Sequence, residues 1–171
     1  MIRHCTNADI PVINEIINDS AQAYRGVIPE DRWNEPYMSS AYLNSEIEAD
    51  VLFLGFAGSS GSLLGVMGIQ DKDNVFLIRH AYVRTHSRRQ GIGAQLLTHL
   101  TRNFDKPLLV GTWKTANWAI SFYEKYGFED VGPAETGRLL RTYWSISARQ
   151  VETSIVLADG RWRNWHETVQ D

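Results

Sequence analysis

The sequence predicts a single α/β domain, residues 1–171, with a mixed, mainly antiparallel sheet of about six or seven strands flanked by helices on both faces. Three observations predict it. The 171 residues, 43% of them hydrophobic, suffice for one well-buried domain and are short for two. Apolar runs of strand length, bounded by glycine, serine and asparagine, alternate with stretches whose apolar residues recur at helical spacing. No internal repeat or low-complexity linker interrupts that alternation.

Each element has its own reason. "MIRHC" reads as a short first strand, and Asn7 or Asp9 starts a helix through Ile17 whose stripe is Ile10, Ile13, Ile16 and Ile17. The following "AYRGVIPEDRWNEPYMSSAYLNSEIEAD" mixes aromatic residues with Pro29 and Pro36, which predicts short helical turns rather than a regular element. "VLFLGFAG" and "LLGVMGIQ" are strands joined across "SSGS". "NVFLIRHAYV", "PLLVGTW" and "VETSIVLA" are further strands. Helices are expected over Gly91–Asn103, about Asn117–Tyr126, and Glu135–Tyr143. In the tail "DGRWRNWHETVQD", Trp162 and Trp165 stand three apart and can pack on the domain or on a second subunit, a homodimer.

Composition excludes several classes. Cys5 is the one cysteine, so an internal disulfide and a cysteine-rich zinc site are ruled out. His80, His86 and His99 share their segment with no carboxylate or cysteine, so no metal is expected. No window approaches the roughly 18 apolar residues of a membrane span, and the first residues lack the apolar core of a signal peptide. A cytoplasmic location, away from membranes, is the expectation. Charge is uneven along the chain. Residues 1–73 carry 4 Lys+Arg against 11 Asp+Glu, and 105–171 carry 8 against 9. Between Asn74 and Phe104 there is no acid but five arginines, Arg79, Arg84, Arg88, Arg89 and Arg102. Nucleic-acid binding is disfavoured by the acidic remainder and by the absence of a basic stripe across elements.

The basic block coincides with the turn "RRQGIGAQLL". A strand ending at Val83 feeds a loop that enters a helix at about Gly91, so the unpaired N–H groups of the first helical turn face whatever the loop holds. Gly91 and Gly93 remove side chains from the approach, and Arg88 and Arg89 add charge-assisted donors. The arrangement suits a pyrophosphate. A Walker loop is excluded because no Gly-Lys-Ser/Thr follows, and a dinucleotide fingerprint fails because Leu96 replaces its third glycine.

With Arg88-x-x-Gly91-x-Gly93-Ala94 and a second anchor, "AISFYEKYGF", the sequence resembles the GNAT family of acetyl-CoA-dependent N-acetyltransferases over roughly Ile2 to Leu157. The resemblance implies direct acetyl transfer from acetyl-CoA to an amine of a small molecule or peptide. It also implies a wedge where the strands "NVFLIRHAYV" and "PLLVGTW" splay apart. Backbone near Ala81, Tyr82 and Val83 would hold pantetheine and the thioester oxygen, and the amides of Arg89, Gln90, Gly91, Ile92, Gly93 and Ala94 would hold the pyrophosphate. The first of these strands typically carries a bulge.

Tyr123 aligns with the family's acid for the departing thiolate, although it could equally belong to the aromatic cluster of Phe122, Tyr126 and Phe128. The family's CoA-contacting asparagine would fall at Ala116 here. Asn117, one residue later, either replaces it or caps the helix. An acceptor amine of pKa near 10.4 is neutral in only about one molecule in a few thousand at pH 7, so its proton needs an acceptor. Many members use a glutamate on the strand leading to the turn, yet "NVFLIRHAYV" has none. His80 is the group there suited to neutral pH, with Asp71, Asp73 or a water chain as alternatives. Tyr24, Trp33 and Tyr37, among Glu30, Asp31 and Glu35, are the candidate acceptor-binding residues and suit a cationic amine. The missing glutamate and shifted asparagine leave open a non-catalytic acyl-CoA sensor on the same fold.

Overall fold

A computed structural model describes residues 1–169, with side chains through Trp165. They form two compact units, Met1–Asp71 with Ile78–Asp105, and Lys72–Leu77 with Lys106–Asp171.

The first unit opens with β1 (Ile2–His4) and α1 (Ile10–Ala21), then α2 (Ser40–Glu48), β2 (Leu52–Ala57) and β3 (Leu63–Lys72). It continues with β4 (Val75–Val83), whose first residues belong to the second unit, and α3 (Ile92–Asn103). β1 lies antiparallel on β2, with Ile2 opposite Phe56, and β2 lies antiparallel on β3. Helix α1 starts where Asp9 gathers donors. Arg3 reaches it through two nitrogens at 2.8 Å each, and the Thr6 amide donates to it at 2.8 Å. Of the predicted stripe, Ile13, Ile16 and Ile17 are buried with Met38, Leu43 and Phe53, and Ile10 packs against them partly buried. Both Phe53 and Leu54 are buried although neighbouring strand side chains point to opposite faces, so both faces of β2 are covered. α1 and α2 contribute to the Phe53 side, and α3 also packs against β2.

The segment before β2 corrects the expectation of turns alone. Short 3₁₀ turns do occupy 22–24 and 30–32, but Ser40–Glu48 is a regular helix. Ser39 caps it by accepting from the Tyr42 amide at 3.1 Å, a serine cap of the preferred kind. Its apolar stripe is weak because one of its two buried positions is a glutamate, Glu46. Asn14 and Asn18 of α1 donate to the Met38 carbonyl at 3.0 and 2.9 Å, which fixes where α2 begins.

The second unit holds the start of β4 with β5 (Leu108–Trp113), α4 (Asn117–Lys125), β6 (Glu129–Asp130) and α5 (Pro133–Tyr143). It ends with α6 (Ala148–Glu152), β7 (Ser154–Ala158) and α7 (Gly160–Val169). β5 pairs antiparallel with β7, Leu109 opposite Ala158, and β6 pairs with the far side of β7. The seven strands thus run in the order β1-β2-β3-β4-β5-β7-β6, mostly antiparallel. β6 and the two helices α6 and α7 were not expected. Val151 and Glu152, read as strand, close α6, which Ser147 and Gln150 cap reciprocally. Trp162 is 3% exposed and packs in this unit's own core with Leu139, Leu140 and Val156, with the Trp165 ring tilted against it at 5.3 Å. Gln170 and Asp171 of the tail lie outside the described residues.

Strand contacts give a direct test of packing. A Cβ at Gly68 would lie 2.6 Å from the Arg79 carbonyl oxygen and 2.9 Å from Val51 Cγ1, whereas one at Gly111 would meet nothing closer than 3.5 Å. Gly68→Ala is expected to lower unfolding free energy by ~1–3 kcal/mol through overpacking. Gly111→Ala should stay within about 0.5 kcal/mol of the wild type. Urea midpoints check both, and matching midpoints for the two variants would contradict the packing.

Candidate active site

The glycine turn has the geometry that its sequence suggests. Gly91 is the residue before α3 and adopts φ +76°, the left-handed region that a side chain resists. Arg89, two residues earlier, is left-handed too, at φ +60°. The chain reverses there and enters α3 with Ile92, Gly93 and Ala94 in its first turn, where amides have no acceptor within the helix. Ile92 is 3% exposed, and a Cβ at Gly65 would fall 2.8 Å from its Cγ2. Buried Ile92 fastens the turn to β3, while Arg88, Arg89, Gln90 and Gly91 are exposed.

The loop before the turn is moored to α1. The Arg84 guanidinium reaches Glu15 at 2.7 Å and the Leu63 carbonyl at 2.9 Å. The Thr85 amide donates to Asp19 at 2.7 Å, and Arg88 donates to the Ser20 carbonyl at 2.8 Å. The basic block is therefore partly committed within the fold. Arg79 and Arg84 are ion-paired and Arg88 ties the loop to the end of α1, whereas Arg89 sits exposed beside the glycine turn.

Upstream in β4 lies a feature that the sequence did not indicate. His80 adopts φ +53°, a left-handed residue inside a strand, which costs on the order of 1–3 kcal/mol for a non-glycine residue. It breaks the extended backbone as a bulge does. The His80 Nε2 lies 2.5 Å from Oε2 of Glu46 on α2, and Arg79 donates to that same oxygen at 2.5 Å. The second Arg79 nitrogen reaches Gln70 Oε1 at 2.9 Å, and Gln70 in turn donates to the Ala49 carbonyl at 2.7 Å. The imidazole stacks on Phe53 at 6.2 Å and meets the Tyr42 ring edge-on. The side chains of Glu46 and His80 are 11% and 12% exposed.

Charge states follow from this enclosure. Burial pulls the His80 pKa below its ordinary value, Glu46 opposes that pull and Arg79 reinforces it, so the imidazole is neutral at pH 7. Burial alone would raise Glu46, but the bond from His80 and the charge of Arg79 hold it below the usual carboxylate value. Glu46 is thus an ionised acceptor. A carboxylate only accepts, so the proton of the short contact sits on Nε2 of the neutral ring, and Nδ1 keeps its lone pair.

The expected acceptor residues also come together. Trp33 meets Tyr37 at a tilt, ring centroids 5.8 Å apart, Tyr37 meets Tyr24 likewise at 5.6 Å, and Tyr24 meets Tyr82 edge-on at 6.3 Å. Tyr82 was expected to act through its backbone, yet its ring completes this row. Its phenol is pushed well above its ordinary pKa by burial, then by Tyr24 and Tyr37. Glu30, Asp31 and Glu35 are exposed nearby in sequence.

The remaining candidates stand in the second unit. Asn117 is the first residue of α4 and is exposed, while the cap position before it is Ala116, which makes no side-chain cap bond. Tyr123, also on α4, is 4% exposed, with its ring 5.1 Å from Phe122 and 5.5 Å from Phe128. Asp71 and Asp73 are exposed at the β3–β4 turn, where Asp73 is left-handed at φ +60°. Cys5 is the free thiol, and burial pushes it up to about 11, with Asp9 adding to the rise. Among the described residues no group of three or more His, Cys, Asp or Glu side chains could hold a metal ion, and no helix is long and apolar enough to cross a membrane.

Residues 16–141, which include the glycine turn, the Glu46–His80 contact and α4, match the family described as an acetyltransferase (GNAT) domain. The chain belongs to the GNAT acetyltransferase family. Solved structures agree in fold. A GNAT-family acetyltransferase from Staphylococcus aureus Mu50 is 14% identical, with a TM-score of 0.68 over 93% of this chain and 97% of its own. The PaiA N-acetyltransferase of Thermoplasma acidophilum, solved in complex with coenzyme A, is 20% identical, with a TM-score of 0.67 over 93% and 97%. The ribosomal-protein-S18-alanine N-acetyltransferase of Escherichia coli is 18% identical, with a TM-score of 0.63 over 93% and 92%. No curated protein matches the sequence.

For a GNAT domain the turn at Gly91 predicts its own sensitivity. Gly91→Val forces a β-branched residue into φ +76° and is expected to weaken coenzyme A binding about tenfold or more through a displaced turn. Calorimetric titration checks it, and unchanged affinity would detach this turn from the cofactor.

Proposed function

We propose that this GNAT domain transfers acetyl from acetyl-CoA directly to a primary amine of a small molecule or a peptide, the two units acting as one catalytic domain. The observation that carries the amine reading is the buried imidazole of His80 held 2.5 Å from the Glu46 carboxylate. Acetyl-CoA supplies the activated thioester. The first-turn amides of Ile92, Gly93 and Ala94, with those of Arg89, Gln90 and Gly91, suit its pyrophosphate, and Arg88 and Arg89 add positive charge. Backbone groups of Ala81, Tyr82 and Val83, just past the left-handed His80, suit pantetheine and the thioester carbonyl. Asn117, exposed at the start of α4, is a further cofactor contact.

In this reading the aromatic row of Trp33, Tyr37 and Tyr24 receives the acceptor, whose ammonium suits aromatic faces and the acidic residues along that segment. His80 takes the amine proton, leaving a nitrogen lone pair for attack, and Tyr123 supplies a proton to the departing thiolate. A covalent acetyl-enzyme is not needed. Cys5, with its pKa pushed to about 11, carries almost no thiolate at pH 7. The non-catalytic sensor reading rests on the lack of a glutamate in β4 and on the shifted asparagine; Glu46 answers the first by bringing a carboxylate to His80 from α2.

The test is acetyl-CoA-dependent thiol release over polyamines, aminoglycosides, amino acids and short peptides, with product masses checked. One class of amine is expected to raise release and gain one acetyl group. Tight acetyl-CoA binding with no product from any amine would return the chain to the sensor reading. Tyr123→Phe should lower kcat about tenfold or more with the acetyl-CoA dissociation constant unchanged. Equal kcat would leave Tyr123 as part of the aromatic packing seen around it.

A further inference from the structure

We infer that Glu46 of α2 is the positioning residue of the reaction: it locks His80 into the tautomer that carries hydrogen on Nε2, so that Nδ1 is the atom that accepts the amine proton. The inference rests on the reading of His80 as the base and adds which atom acts and what holds it.

Three observations converge on it. The first is the geometry, a single carboxylate oxygen 2.5 Å from both Nε2 of His80 and a guanidinium nitrogen of Arg79. The second is enclosure, since Glu46 and His80 are nearly inaccessible and an ionised carboxylate is not left there without a compensating partner. Packing alone could be met by an apolar residue on α2, where Leu43 already fills the neighbouring core position. The third is backbone, because His80 holds a left-handed conformation inside a strand, and such outliers gather at functional sites.

The chemistry balances within these groups. The acceptor enters as an ammonium: one N–H bond breaks and a bond from that hydrogen to Nδ1 forms, so the ring becomes an imidazolium with hydrogen on both nitrogens. The freed lone pair forms the C–N bond as the C–S bond breaks, and the proton the nitrogen then sheds replaces the one Tyr123 gives the thiolate. Glu46, already accepting from Nε2, stabilises the charge as it appears. Burial, and after it the charge of Arg79, oppose it and hold the resting ring below the ordinary imidazole pKa. The groups facing the imidazole are Glu46 and Tyr42 from α2, Arg79 from β4 and the apolar Phe53 from β2.

The two charged neighbours act on His80 with opposite sign, which gives the test. Activity needs the neutral ring and is lost as pH falls through the His80 pKa. Glu46→Gln removes the group that raises this pKa, so the acid limb of kcat should move to lower pH, with kcat on the plateau reduced about tenfold or more. Glu46→Asp, which keeps the carboxylate, should recover part of that loss. Arg79→Gln removes a charge that lowers the pKa, so its limb should move to higher pH. His80→Asn, chosen because asparagine tolerates left-handed backbone, should lose about a hundredfold or more. If His80→Asn is slow while Glu46→Gln keeps the wild-type rate and limb, the role of Glu46 is overturned and the base stands. If His80→Asn turns over like the wild type, the base reading itself falls. Should Glu46→Gln fail to fold, an Arg79→Gln limb that stays in place or moves down overturns the inference by itself.

Discussion

One buried carboxylate organises the first unit. Glu46 lies on the inner side of α2, where its charge is balanced by the Arg79 guanidinium of β4 and the same oxygen accepts from the neutral His80 ring beside it. Removing either partner of such an enclosed pair is costly, because the remaining charge has no water to return to. α2 and β4, more than thirty residues apart in sequence, are therefore bound to a fixed register. Gln70 of β3 joins the same network through Arg79 and the end of α2, so helix and two strands share one set of hydrogen bonds. A helix with little amphipathic signal of its own is held in place by this bond and by its serine cap.

The same unit treats its arginines as structure first. Arg84 and Arg88 tie the loop after β4 to the last turns of α1, and the amide of Thr85 does the same through Asp19. That mooring sets the path into Gly91, whose left-handed backbone turns the chain and exposes the first-turn amides of α3. In the proposed reading, the turn's attraction for the pyrophosphate comes less from a cloud of cations than from oriented backbone dipoles on a fixed mount.

Local chemistry was legible in the sequence and distant chemistry was not. The glycine turn could be read because glycine, arginine and the helical stripe of α3 lie within one short stretch, and each acts on its immediate neighbours. The stripe of α1 and the strands β2 to β5 were legible for the same reason. Glu46 was missed because its partner is 34 positions away, and the search for a carboxylate stayed on the strand that carries His80. A signal did exist. Glu46 stands three residues after Leu43, on the buried side of a helix, where a charged residue calls for a partner. Tyr82 was read only through its backbone, because a left-handed residue at position 80 breaks the two-residue alternation that assigns strand side chains to faces. α6 and α7 were hidden by short length and by a polar tail whose buried apolar anchor among the described residues is Trp162.

The proposed chemistry depends on the protonation of one ring, and that can be observed without turnover. Nitrogen-15 chemical shifts of the His80 imidazole in the full-length protein at pH 7 should show hydrogen on Nε2 and a bare Nδ1. A ring protonated on Nδ1, or an imidazolium at that pH, would contradict the arrangement of Glu46, Arg79 and His80 on which the account stands.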